Sequence, residues 1–521
     1  MDNHEDCCDE SLGPGLESIL PTRVLDVGIP GENKVRLYIS SEGERARYLA
    51  LSHCWGGSKH ACVLAHDNLE QWREEIPEAI LPATFKDAIE VTRRLGERFL
   101  WIDAACIIQP TDDDSSDWQK EGAHMGDIYR NSFCTIAATG SVSSDSGFLL
   151  PRLGALYPVL PCTVATTDTR NPCLTFCQGV PDCRGLLYSR GWVLQEQLLS
   201  PRTLAWSREA LFWHCCSHSA SEFKPNMVRD FGEMEGLLAN PTYLRGMQRG
   251  TSSFKKSMAV EDKNFSKRYE MTKLWRNLVE QYSFRELTKH TDKLAAIAGL
   301  ATASAQLPVF GDSRYLAGLW EFNMGDFLRW SSHKSITNYP QRPREKQYVA
   351  PSWSWASVVG RISFETWGWY RAYDILDADV TPKGDKFSQV SSGYLRLRGK
   401  IRAGFHAEVS PPLCECCLEH SVSTRARWGA DFGEHVCLVI PFSGTSEKPS
   451  TIVWDVLPDW PEKPFYCLRL EKDPKSPWQR GLALEPVAGS TNTFRRIGYT
   501  ALSPAFEDCF DTVEEEIITI I

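Results

Sequence analysis

The chain of 521 residues exceeds one small domain, so two or three are expected, and a hydrophobic share of 42% supplies a sizeable core. Its formal net charge of −10, with no basic block, argues against nucleic acid as a partner, because phosphate binding needs clustered Lys and Arg. No apolar run reaches the ~18 residues of a membrane span, and the acidic opening "MDNHEDCCDESLGPG" lacks the order of a secretion signal. A cytoplasmic chain is expected, with its 18 cysteines as reduced thiols rather than a disulfide framework.

Residues 1–21 read as a flexible N-terminus. From 22 to 215 strand and helix patterns alternate. "RYLALSHCW" (47–55) is a buried strand running into a turn at Gly56-Gly57. "PATFKDAIEVTRRLGER" (82–98) spaces Phe85, Ala88, Ile89, Thr92 and Leu95 along one helical face, with Gly96 as C-cap. "FLWID" (99–103) is a second strand ending in a carboxylate. Ser116 caps a helix with Trp118, Gly122, Met125, Ile128 and Tyr129 inward, and "FCTIAAT" (133–139) is a third strand. A helix near 190–199 precedes the strand-like "TLAWS" and "ALFWHC". The alternation predicts an α/β domain over 22–215, with a mainly parallel sheet flanked by helices. Its ligand site belongs beyond the carboxyl ends of the strands.

Residues 216–344 read as a mixed, mainly helical middle region, with helix expected over 276–330. Residues 345–521 form a β-rich C-terminal domain, with strands in "YLRLRGKI", "HVCLVIPF", "STIVWDVL", "FYCLRLEK" and "FRRIGYTAL". "APSWSWAS" places Trp353 and Trp355 at period two, suited to a strand with both rings on one face. A packing role is the simplest reading for them, since tryptophan buries a large area. The cysteine and histidine groups Cys173/Cys177/Cys183, His214/Cys215/Cys216/His218 and Cys414/Cys416/Cys417 do not give the paired spacing of a zinc site, so no metal is expected.

Four blocks, "YLALSHCWGG" (48–57), "LWIDAACIIQ" (100–109), "HMGDIYRNSFCTIAAT" (124–139) and "RGWVLQEQLLSPRTLAW" (190–206), together resemble the heterokaryon-incompatibility (HET) domain. "YSFRELTKHTDKLAAIAGLA", "YLAGLW" and "APSWSWAS" resemble segments that follow it in its fungal proteins. His53 and Ile108 depart from the usual tyrosine and asparagine. The resemblance implies a cytoplasmic effector of fungal non-self recognition and programmed cell death, signalling by self-association or with an unknown protein partner. The HET fold is in turn similar to TIR domains, some of which hydrolyse NAD. Their W-C-x-x-E helix is matched here by "WVLQE", with Val193 in place of the cysteine. A TIR-like sheet is thus implied, with Glu196 as catalytic carboxylate.

An anion beside the ribose stabilises the oxocarbenium-like transition state of NAD glycohydrolysis, and NAD is then a substrate, with no cofactor required. His53, Trp55, Gly56, Asp103 and Trp192 are the candidate nucleotide-binding residues: Trp55 and Trp192 to stack, Gly56 to admit a phosphate, Asp103 and His53 at strand ends. Cys54 and His53 are no dyad, since neighbours on a strand face opposite ways. Other readings stay open. Glu196 suits a structural pairing with Arg190 or Arg202; the domain suits a non-catalytic interaction module; and an enzyme of a specialised metabolic pathway suits the same fold.

Overall fold

The computed structural model describes residues 17–29, 31, 34–56, 62–111, 113–151, 162–165, 173–176, 185–215, 219–222, 263–307, 310, 313–332, 348–365, 371–404, 437–438, 450–454, 465–471, 479–502 and 510–521. The chain divides into two compact units, Met1–Ala259 and Val260–Ile521. Residues 216–344 are therefore shared between them. The expected flexible N-terminus lies mostly outside the described residues, while Ser18–Ile19 pairs with Arg45–Ala46.

The first unit holds one eight-stranded sheet. Its strands are β1 (Arg23–Asp26), β2 (Arg36–Ile39), β3 (Tyr48–Ser52), β4 (Phe99–Ile102), β5 (Cys134–Ala137), β6 (Arg202–Trp206), β7 (Leu211–Cys215) and β8 (Ser219–Ser221). Their helices are α1 (Leu69–Glu74), α2 (Ala83–Arg94), α3 (Asp103–Cys106), α4 (Ser116–Asn131) and α5 (Val193–Leu199). The spatial order is β8-β7-β6-β5-β3-β4-β1-β2. Only the central β6-β5-β3-β4 pairs are parallel, while β1, β2, β7 and β8 join antiparallel. The expected mainly parallel sheet is thus a mixed sheet with a parallel centre. Hairpin-like connections at both edges reverse the chain where no crossover helix intervenes.

All five residues of β3 are buried, as a strand covered on both faces requires. Helix α2 buries Phe85, Ala88, Ile89 and Thr92, but Leu95 falls at the C-cap and is exposed. Gly96 (φ 78°) ends the helix. Its N–H bonds the Arg93 carbonyl and that of Glu97 the Thr92 carbonyl, the reciprocal pair that closes a helix on a left-handed glycine. At α4 the N-cap is Ser115, one residue before the expected Ser116. Met125, Ile128 and Tyr129 face the core as the spacing predicts.

The second unit opens with helices α6 (Lys263–Ser283) and α7 (Ala295–Ala305). Helix does not continue to residue 330. Tyr315–Leu316 and Leu319–Trp320 form a tight hairpin, because Ala317 (φ 46°) and Gly318 (φ 93°) take the left-handed pair that two-residue hairpins need. The indoles of Trp275 and Trp355 both donate to the Gly318 carbonyl, at 2.8 and 2.9 Å.

The β-rich region comprises β9 (Tyr373–Pro382), β10 (Val390–Gly404), β11 (Cys437–Leu438), β12 (Ser450–Trp454), β13 (Phe465–Arg469), β14 (Gln479–Pro486), β15 (Thr493–Leu502) and β16 (Glu515–Ile520). β10, β13, β14, β15 and β16 pair in a closed ring. Closure removes the open edges that a small sheet would otherwise expose. The Trp353/Trp355 segment is not a strand. Ser354 caps a short 3-10 turn, Trp355–Ser357, by accepting from the Ala356 N–H. Both indole rings are fully buried, which is the packing role expected of them.

Candidate functional site

In chain order the parallel strands run β3, β4, β5, β6, but in space they lie β4-β3-β5-β6. The chain leaves β3 toward one side and returns to its other side, so a topological switch lies between β3 and β5. Crevices beyond the carboxyl ends of strands form at such a point. Ser52, His53, Cys54 and Trp55 follow there from β3, and Asp103 from β4.

Glu196 is delivered to the same place by α5, which packs against α4. The helix is short, and Ser200 ends it by donating to the Glu196 carbonyl at 2.5 Å. Ser200 is itself held by Thr135 of β5 at 2.6 Å. The Glu196 residue is only 6% exposed. Burial is the main reason its carboxyl is pushed up to about 7. The negative charge of Asp103 adds to the rise, while the Tyr129 phenol and the Arg190 charge oppose it. Ser52 also lowers it, with its hydroxyl outside full hydrogen-bond geometry.

Asp26 of the same unit shows what a pinned carboxylate looks like. Burial opposes its charge too, yet bonds from Arg98, Arg36 and the Gly28 N–H overcome that and hold it at about 2. Glu196 goes the opposite way. The arginines proposed as its structural partners are engaged elsewhere as well: Arg190 donates to the His53 carbonyl at 2.5 Å, and Arg202 to that of Phe133 at 3.1 Å.

Asp103 is partly exposed, with 24% of its side chain accessible. One oxygen accepts the Trp55 indole N–H at 2.9 Å and the other the Ala104 N–H at 2.7 Å. The His53 Nδ1 stands 3.9 Å from Asp103, and the His53 ring meets Phe85 edge-on. Cys54 turns instead toward Leu187, Val193 and Phe212. Burial pushes its thiol up, against the nearby Arg190. His53 and Cys54, just past the end of β3, thus pack among different residues.

Gly56 takes φ 87°, and a Cβ there would come within 2.6 Å of the Ser143 Cβ. Gly57 lies outside the described residues. Trp192 stands edge-on to Trp118 at 5.9 Å. The fold thus gathers Glu196, Asp103, Trp55 and His53 at one end of the sheet, while Trp192 is seen in contact with Trp118. Ser52, Tyr129 and Arg190 complete the surroundings of Glu196. Sequence reasoning took Tyr129 as core alone, and its only signal was a phenol on an otherwise apolar helix face.

Among the described residues no group of three or more His, Cys, Asp and Glu is arranged for a metal. Of the cysteine and histidine groups singled out above, Cys177, Cys183, Cys216, His218, Cys414, Cys416 and Cys417 lie outside the described residues. No helix among them is long and apolar enough to cross a membrane.

Fold and site together define an α/β unit with a buried, near-neutral carboxylate at the switch point of its sheet. Residues 48–196 match the family described as heterokaryon incompatibility protein (HET), so the chain carries a HET domain. The match begins at the first residue of β3 and ends on Glu196. No curated protein and no solved structure matches the chain.

Proposed function

We propose that the HET unit hydrolyses the N-glycosidic bond of NAD, with Glu196 as its acid–base carboxylate, and that the chain acts thereby as an effector of heterokaryon incompatibility and cell death. The observation that carries this is the environment of Glu196: buried at the switch point and raised to about 7, unlike the arginine-pinned Asp26. A carboxyl poised near neutral pH is suited to moving protons, which is the usual purpose of such a shift.

In the reaction, the bond from ribose C1′ to the pyridinium nitrogen breaks and its electron pair neutralises the departing nicotinamide. Water oxygen bonds to C1′ and gives its proton to ionised Glu196, which then releases it to solvent. The negative charges of Glu196 and Asp103 favour the oxocarbenium-like transition state. Trp55, oriented by its bond to Asp103, offers a ring face for stacking. The left-handed turn at Gly56 lets backbone approach a phosphate. A TIR-like mode of action, in which self-association switches the unit on, is part of the same proposal.

The test is NAD consumption and nicotinamide release by the full-length protein, beside Glu196→Gln checked for folding by circular dichroism. Cleavage that disappears in the variant supports the proposal. No cleavage by either, even with chains forced to assemble, refutes it and leaves a signalling module that works through self-association alone. Glu196-dependent cleavage of another N-glycoside but not of NAD moves the chain to a specialised metabolic pathway.

A further inference from the structure

The carboxylates of Asp26 and Asp117 are each held by an arginine, at 2.8 and 2.6 Å. Asp103 is held by neutral donors instead. The Trp55 indole N–H bonds its Oδ2 at 2.9 Å, and the Ala104 N–H bonds its Oδ1 at 2.7 Å. His53 Nδ1 stands 3.9 Å from Oδ1, beyond hydrogen-bond length. No lysine or arginine pairs with Asp103 among the described residues. The backbone beneath it is fixed as well, since the Asp103 carbonyl accepts from Gln109 Nε2 at 3.2 Å and from the Ile107 N–H at 3.1 Å.

A carboxylate offers about two acceptor sites on each oxygen, so one on each is left open here. The side chain is 24% accessible, which lets a ligand reach it. Two open acceptor sites on one oriented carboxylate, beside an indole ring, suit a vicinal diol. Ribose presents two adjacent hydroxyls, each with one proton to give, and the apolar side of its ring can lie on an indole. Acidic residues serve ribose hydroxyls in this way in other parallel-sheet nucleotide sites.

We infer that Asp103 determines specificity for the sugar, its two carboxylate oxygens accepting the 2′- and 3′-hydroxyls of the ribose whose glycosidic bond is cleaved. No bond forms or breaks at Asp103. The 2′-hydroxyl sits on the carbon next to C1′, so its hydrogen bond tightens as positive charge grows there. A sugar without that hydroxyl leaves a desolvated carboxylate oxygen short of a donor, and the site discriminates against it. Asp103 thus recognises the sugar, while the more deeply buried Glu196, 6% exposed, handles the proton. This deepens the reading of the unit as an NAD hydrolase and rests on it.

The experiment is calorimetric titration of the full-length chain carrying Glu196→Gln, which on that reading binds without cleaving. The ligands are NAD and its analogue with 2′-deoxyribose on the nicotinamide side. NAD is expected to bind about 10- to 100-fold more tightly, the worth of one hydrogen bond to a charged group. Adding Asp103→Asn is expected to bring that ratio to about 3 or less, because the amide exchanges one acceptor oxygen for a donor. Asp103→Glu keeps the charge but moves the oxygens by a methylene; it is expected to lower the ratio too, and decides the matter where Asp103→Asn does not fold. A purely structural Asp103 would weaken both ligands equally, so a ratio unchanged in a folded variant overturns the assignment. Equal binding of the two ligands before Asp103 is altered overturns it as well, and leaves NAD hydrolysis standing if the wild type cleaves. A wild type that neither binds nor cleaves NAD overturns both.

Discussion

Glu196→Gln separates a poised carboxyl from a structural pin by the sign of its effect on stability. Burial raises the folded-state value of Glu196 to about 7 from the ordinary 4.5. The unfolded chain therefore loses this proton first, and the folded state is favoured most below pH 4.5. That contribution is lost as pH rises toward 7. Converted at 1.36 kcal/mol per pH unit, the interval is worth about 3 kcal/mol. Glutamine has nearly the same shape and does not titrate. Relative to wild type, the variant is expected to gain about 3 kcal/mol between pH 4 and pH 8, or roughly 6–12 °C in melting temperature. Urea denaturation of both proteins across that range, following the first unit, measures the difference. A gain that is flat with pH, or a variant that loses ground as pH rises in the manner expected of a pinned carboxylate such as Asp26, would refute the reasoning.

Asp103→Asn removes a negative charge that raises Glu196, so the Glu196 midpoint is expected to fall, as read by the infrared carboxylic-acid C=O band that Glu196→Gln removes. Trp55→Phe deletes the indole bond to Asp103; a loss of about 1 kcal/mol in stability is expected by denaturation, with a larger proportional loss of NAD cleavage. Gly56→Ala forces a Cβ within 2.6 Å of Ser143 Cβ at a left-handed φ, and about 1–3 kcal/mol of destabilisation is expected in urea. In the second unit, burial lowers Lys293 to about 7 from 10.5. The unfolded state then holds this proton longer, so stability is expected to rise as pH climbs from 7 to 10. Lys293→Met abolishes that slope, even though it also removes the ammonium's bonds to the Trp355 and Val358 carbonyls. A slope that survives in the variant assigns it to another group.

The sequence by itself determined what local periodicity and turn chemistry can specify. The apolar run at 48–51, the helical spacing over Phe85–Thr92 and the glycine at 96 each recur in the structure as strand, helix and cap. The HET resemblance was legible for a related reason, because its blocks are contiguous. The strand expected at Trp353/Trp355 failed because Ser354 caps a turn by bonding backbone groups near it. Period two in a short aromatic stretch does not distinguish that from a strand.

Only the tertiary structure decided the strand order and the closed barrel, because those pairings join residues far apart in the chain. The same holds for the chemistry of Glu196. Its near-neutral value comes from burial together with Asp103, which lies 93 positions earlier, against the opposing pull of Ser52, Arg190 and Tyr129. Desolvation and charge act through space, over distances set by the packing of α4, α5 and the ends of β3 and β4. The sequence names the carboxylate, but it is the packing that removes its water and raises its proton affinity.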